Sequence, residues 1–397
     1  MRIGMILDKT FPPDPRVENE AVSLVENGFE VYLFCLRYGN EQEDSEVING
    51  INIKRYQSNT LEYKLSALAY SLPFYTNRMH RKINNFLIKN RIEAIHIHDI
   101  RIAEAVFKGI KKIPLPVVLD LHDNMPEIMK HYPHVQKFPG KYLISLKKWK
   151  QKEEEFIQKA TKVITVSEEF KDEVIKRTKI ENTKISVVPN TVRKSFYEDF
   201  IVDDAIINRY KNSFIILYLG DTGIRRGLLT AIEAIPLLKE TITNVKLVIV
   251  GTNTSDSVLK QKVKELILEE YVDFQGWQNV MLFPSYIMTS AVCISPLYRN
   301  IQHDVAYANK LFQYMSFAKP VLVSNATAQK NLIEKTKSGL VHIEKDGKDF
   351  AAKIIQLFKN EALRDQLGAN GKKFIEKDFC WERTSKKLIE IYQVFSN

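Results

Sequence analysis

Phe214 to Ile235 reads FIILYLGDTGIRRGLLTAIEAI. The six apolar residues Phe214 to Leu219 fit a strand buried on both faces. Gly220, Gly223 and Gly227 mark a loop, and LLTAIEAI begins a helical pattern. Strand, glycine loop and helix in that order are the opening of a βαβ unit, the building block of a parallel sheet covered by helices.

The same alternation extends in both directions. Upstream, RIGMIL, EVYLFCL, AIHIH, VVLDL, KVITVS and ISVVPN are short Val/Ile-rich runs separated by helix-length segments. Downstream of FIILYLG follow KLVIVG, VDFQG, AVCISP, PVLVSN and GLVHI. Each series suffices for one doubly wound domain, and at 397 residues the chain exceeds the usual size of one hydrophobic core. The expected α/β organisation is a Rossmann-like domain over 1–195, a linker over 196–212 and a second Rossmann-like domain over 213–380. The amphipathic segment 381–397 is expected to return to the first domain as a helix.

Ligands of such sheets bind beyond the carboxyl ends of the strands, here expected in a cleft between the two domains. The polar residues at those ends are Asp8, His98, Asp99, His122, Asp123, Ser167 and Asn190 in the first half. In the second half they are Asp221, Thr222, Gly251, Thr252 and Pro296.

Composition narrows the class. Hydrophobic residues at 45% and charged residues at 27% are globular values. Cys35, Cys293 and Cys380 lack metal-ligand spacing and sit among apolar neighbours, which predicts burial and a reducing compartment. MRIGMILD runs straight into a strand pattern without a leader-like segment, and no apolar run approaches the roughly 20 residues of a membrane span. A cytoplasmic protein, soluble or peripheral on a membrane, is therefore expected.

The net charge of +10 is concentrated in the first half. Residues 61–91 carry Lys64, Arg78, Arg81, Lys82, Lys89 and Arg91 against Glu62, and 137–152 carry six lysines and no acid. Leu61, Leu65, Leu68, Ala69, Leu72, Phe74 and Tyr75 lie among the first set of cations, and Phe138, Tyr142, Leu143, Ile144, Leu146 and Trp149 among the second. Basic stretches interleaved with apolar and aromatic residues suit an anionic membrane surface, expected here to be the inner face of the plasma membrane. No zinc module, RNA-binding sheet motif or helix-turn-helix pattern accompanies the charge, so no nucleic-acid partner is expected.

Taken in order, FPPDPRVENEAVSL, HIHDIRIA, LHDNMPE, VITVSEEF, VVPNTV, YLGDTGIRRGLLTAIEAI, KLVIVGT and ANKLFQYMSFAKPVLVSN resemble the retaining glycosyltransferases of family 4. The resemblance spans nearly the whole chain. It implies the GT-B fold, two Rossmann-like domains facing across a cleft, and transfer of a hexosyl or N-acetylhexosaminyl unit. The donor would be a UDP- or GDP-sugar, and the acceptor lipid-linked or a saccharide in surface polysaccharide assembly. Retention of anomeric configuration is implied by the resemblance alone.

Such chemistry develops negative charge on the departing diphosphate, which cations and helix N-terminal amides can stabilise without a metal. No metal or other cofactor is therefore expected. The loop Gly220 to Gly227 suits this role, with Arg225, Arg226, Thr222 and, downstream, Gly251 and Thr252 as donor contacts. Arg226 takes the place of the family's phosphate-binding lysine, whereas Asp221 stands where the family has a phosphate-binding arginine. Arg225 or Lys310 would supply the missing charge.

Asn309, Lys310 and Gln313 continue the donor site. Of the family's two donor-binding glutamates, the second aligns with Gln313 and the first with Val305, leaving Asp304 as the nearest carboxylate. The resemblance assigns a catalytic contact to His122, and Asp304 is the accompanying catalytic candidate. Asp14, Arg16, His98, Asp99 and Asp123 are expected on the acceptor side. Two rival readings stay open: a nucleotide-sugar epimerase of the same fold, and a weakened partner subunit that binds nucleotide sugar or membrane without turnover.

Overall fold

The computed structural model describes residues 1–39, 42–112 and 114–396. Every apolar run quoted above is a strand. The first sheet contains β1 (Arg2–Ile6), β2 (Glu30–Arg37), β3 (Ser45–Ile48), β4 (Ile51–Gln57), β5 (Ala94–His98), β6 (Val117–Leu121), β7 (Lys162–Thr165) and β8 (Ile185–Val187). Their order is β3-β4-β2-β1-β5-β6-β7-β8, parallel except for β3.

The second sheet contains β9 (Phe214–Leu219), β10 (Val245–Val250), β11 (Val272–Gly276), β12 (Val292–Ser295), β13 (Val321–Ser324) and β14 (Gly339–His342). It is wholly parallel, in the order β11-β10-β9-β12-β13-β14. Alternate residues of β9 serve opposite faces. Ile216 and Tyr218 pack with the helix Leu228–Lys239, while Ile215, Leu217 and Leu219 pack with the helices Phe283–Thr289 and Lys310–Ser316. Burial on both faces explains why β9 is apolar throughout.

The hairpin β3–β4 was not among the apolar runs. Its turn residues Asn49 and Gly50 have φ of 51° and 79°, the paired positive values of a tight hairpin turn. Ser45, Val47 and their neighbours form a half-exposed antiparallel edge, and β4 alternates buried and partly buried residues.

The chain divides into one unit of residues 1–189 plus 385–397 and another of 190–384. The segment 196–212, read as a linker, instead contains the helix Asp204–Tyr210, whose Ile206 and Tyr210 join the core of the second unit beside Tyr197. Trp381, read as the start of the returning helix, donates its backbone N–H to Val192 O at 2.8 Å within the second unit. Only the helix Lys386–Ser396 belongs to the first unit, burying Leu388, Ile391 and Tyr392 there. Cys35, Cys293 and Cys380 are buried thiols.

Candidate active site

In the first unit, the ends of β5 and β6 present an unusual set of buried polar groups. His96 and His98 alternate with apolar residues on β5, Asp120 lies on β6, and Arg16 and Glu20 reach them from one face of the helix Pro15–Glu26. All five are between 0 and 4% exposed. Burying charge is costly unless it is paired, and pairing is what the structure shows. Arg16 Nε and Nη2 donate to both carboxylate oxygens of Asp120 at 3.0 and 2.8 Å, Nη1 donates to Val188 O at 3.0 Å, and Nη2 lies 2.9 Å from Glu20 Oε1.

His122, in the turn after β6, is the outlet of this cluster. Its Nε2 lies 2.9 Å from Asp120 Oδ2 and 3.1 Å from His98 Nδ1, and its backbone N–H donates to Asp99 Oδ1 at 3.2 Å. Asp99 adopts φ 63°, a left-handed conformation that aspartate tolerates better than most residues. Burial alone would lower the His122 pKa, but Asp120 and then Asp99 raise it to about 9. Asp120 goes the other way: burial opposes its charge, yet Arg16 and His122 hold it well below the usual carboxylate range. Glu20, dominated by burial, is pushed up to about 8. His96 and His98 are lowered chiefly by burial.

Among the described residues, Glu20, His96, His98 and Asp120 offer ligand atoms within 4.8 Å of one another and form a group that could hold a metal ion. Arg16 already pairs with both carboxylates of that group. On the far side, His96 Nδ1 lies 2.8 Å from Tyr392 Oη, tying the returning helix into the same network.

Several acceptor-side expectations change accordingly. Arg16 is buried, and its guanidinium is held by Asp120, Glu20 and Val188 O. Asp14 caps its helix, accepting from Val17 N–H at 3.2 Å. His98 and Asp99 support His122 from below, and Asp123 follows in the partly buried turn. Glu20, His96 and Asp120 were not singled out from sequence. Their signal was available, because a histidine or aspartate inside an otherwise apolar buried strand must be satisfied by another polar group.

In the second unit, the loop after β9 folds around Asp221. Arg226 Nε donates to Asp221 Oδ2 at 2.9 Å, Asn253 Nδ2 donates to Oδ1 at 2.6 Å, and Gly223 N–H donates to Oδ1 at 3.3 Å. Burial disfavours the Asp221 charge, but Arg226 outweighs it and the pKa is lowered. Gly227, with φ 78°, ends the loop and opens the helix Leu228–Lys239. A Cβ there would lie 1.7 Å from Pro296 O, so only glycine fits. Gly251 is equally constrained: φ is 138° and a Cβ would meet Gly220 O at 1.9 Å.

Thr222 is buried and donates to Asp256, whereas Thr252 is exposed. Arg225 Nη1 lies 3.2 Å from His303 Nε2, and His303 Nδ1 lies 2.7 Å from Tyr298 O. Donation from Nδ1 to that carbonyl leaves Nε2 to accept from Arg225. His303, missed in the sequence, thus orients one of the loop's cations. Lys310 Nζ sits 3.4 Å from the centre of the Tyr218 ring. Burial and then Arg226 hold its pKa well below the ordinary lysine value. Asn309 is exposed and Gln313 partly buried on the short helix Lys310–Ser316.

Asp304 is otherwise engaged. Its oxygens receive Arg299 Nε and Nη2 at 3.1 and 3.2 Å, and Oδ1 also receives Thr327 N–H and Oγ1 at 2.8 and 3.1 Å. These contacts tie Asp304 to the start of the helix Thr327–Thr336. Val305 is buried and apolar, so the short helix Ile301–Val305 places no carboxylate at the position of the family glutamate.

Two family models match the chain in succession. Glycosyltransferase Family 4 matches residues 16–196, and Glycosyl transferases group 1 matches residues 199–374. The chain is a family 4-like glycosyltransferase of the GT-B fold. An uncharacterized glycosyltransferase of Methanocaldococcus jannaschii is 23% identical across 99% of this chain and 98% of its own length. The capsular polysaccharide biosynthesis glycosyltransferase CapM of Staphylococcus aureus is 24% identical across 59% of this chain and 62% of its own. Among solved structures, sucrose-phosphate synthase from Thermosynechococcus elongatus superposes with a TM-score of 0.82 at 17% identity, covering 100% of this chain and 99% of that one. Anabaena HepE in complex with UDP-glucose gives 0.74 at 14% identity, covering 99% and 100%. These likenesses extend the GT-B fold over both units of this glycosyltransferase.

Proposed function

We propose that this glycosyltransferase moves a sugar from a UDP- or GDP-sugar to a lipid-linked or saccharide acceptor in surface polysaccharide assembly, with retention of configuration. The observation that carries the reading is the loop Gly220 to Gly227. It brings Arg225, Arg226 and backbone close to the start of the helix Leu228–Lys239, with Lys310 near Gly220, as a diphosphate requires. The donor class is further supported by HepE, solved with UDP-glucose, and the pathway class by CapM. His122 keeps the catalytic role that the resemblance gives it, and no metal is required in this scheme.

The basic segments carry the membrane part of the proposal. Leu61, Phe74, Phe138 and Tyr142 are 65, 65, 85 and 77% exposed, whereas Tyr75, Ile144 and Trp149 are core residues. Among the described residues no helix is long and apolar enough to cross a membrane. Exposed rings and lysines support docking on an anionic leaflet, where a lipid-linked acceptor resides.

The test is turnover. The purified chain is incubated with UDP- and GDP-sugars and a panel of lipid-linked and saccharide acceptors, and products are followed by mass spectrometry and proton NMR. Acceptor-dependent product with the donor's anomeric configuration is expected. Inversion would remove retention, an epimer formed without acceptor would favour the epimerase, and donor binding without turnover across the panel would favour the partner subunit.

A further inference from the structure

Asp221 is surrounded by the kinds of group that bind a phosphate. A guanidinium, a backbone N–H and a side-chain amide all donate to its two oxygens, in the loop that precedes a twelve-residue helix. Its own backbone is fixed as well, since Tyr218 Oη donates to Asp221 O at 2.6 Å. The same Tyr218 ring lies under Lys310 Nζ. A carboxylate and a phosphate oxygen compete for the same donors, and two anions brought within a few ångströms repel.

We propose that the Asp221 carboxylate occupies the seat of a donor phosphate oxygen, so that the donor binds by taking Arg226 away from it. This rests on the reading of Gly220 to Gly227 as the diphosphate loop. Asp221 then sets donor affinity: it orients Arg226 and opposes the arriving phosphate. A lone ion pair that merely stiffened the loop would have the opposite consequence, because its loss would loosen Arg226 and weaken binding. The side chains of Arg226 and Asp221 are 25 and 36% exposed, so the competition is accessible to solvent and sensitive to salt.

Asp221→Asn and Asp221→Ala are compared with the unmodified chain by calorimetry, using UDP, GDP and inorganic pyrophosphate at low and at moderate salt. Thermal unfolding confirms that each variant is folded. Asn keeps much of the shape and Ala removes the side chain, so a fault in one is not shared by necessity with the other. The expected result is binding about tenfold tighter in both variants at low salt, with a smaller gain as salt rises. Unchanged or weaker binding of every probe overturns the proposal. Binding that requires Mg²⁺ and disappears in both variants also overturns it, because Asp221 would then be a metal ligand. Tighter pyrophosphate binding without any binding of UDP or GDP would sustain the proposal while sinking the nucleotide-sugar reading.

Discussion

Arg16 carries the electrostatics of the buried cluster. Replacing it with Met would keep much of its bulk but take from Asp120 its two-pronged partner, leaving His122 beside it, and take from Glu20 its paired cation, and we expect a loss of about 3–5 kcal/mol in urea unfolding. Arg16→Lys should recover only part of this, because one ammonium cannot reproduce the two-pronged contact to Asp120. Full stability of Arg16→Met would mean that Asp120 and Glu20 do not depend on the Arg16 cation.

His122 and Glu20 give the same residues a pH signature. The folded pKa of His122, about 9, lies above its ordinary 6.5, so its stabilisation is complete below about pH 6.5 and is lost as pH rises through 9. Glu20 is raised from 4.5 to about 8, so the folded chain keeps a proton that the unfolded chain releases. Its contribution also falls as pH rises, between about 4.5 and 8. The melting temperature should therefore decline from pH 6 to pH 9.5, and Asp120→Asn should flatten the part of that decline above pH 7. A flat profile in the unmodified chain would count against a cationic His122.

At the scale of elements, the parallel strands were legible because burial on both faces writes a continuous apolar run. The hairpin β3–β4 was harder to find in that way, since its strands face solvent in part and alternate. The Asn49-Gly50 pair was nonetheless a readable turn signal. Gly50→Ala should cost about 1–3 kcal/mol, because φ is 79° and the new methyl carbon would meet Val25 Cγ1 at 2.6 Å. Equal stability of this variant in urea unfolding would show that the turn relaxes freely.

The site was legible in part for the same physical reasons. Gly227 and His122 stood out because a sharp turn and a strand end each have a chemical requirement. The partners of Asp304 and Arg16 were not legible, because sequence neighbours do not reveal them: Thr327 and Asp120 lie 23 and 104 residues away. The mutual stabilisation of such groups is written in the packing of separate elements, which motif order does not encode.

Over the whole molecule, the charge of +10 combines with exposed rings to predict salt-sensitive association with membranes. The chain should float with anionic liposomes at low ionic strength and less at high, as screening shortens the reach of surface charge. Phe138→Ser with Tyr142→Ser should weaken flotation while leaving the melting temperature nearly unchanged, since both rings are largely exposed. Recovery wholly in the soluble fraction at low salt would remove the membrane part of the proposal.

The return of the helix Lys386–Ser396 to the first unit also bears on biosynthesis. Residues 190–384, all of the second unit, leave the ribosome before Leu388, Ile391 and Tyr392 become available to the first. Until then His96 lacks Tyr392, its partner across 296 residues of chain. The first unit, although synthesised earlier, is thus the later of the two to receive its last core residues.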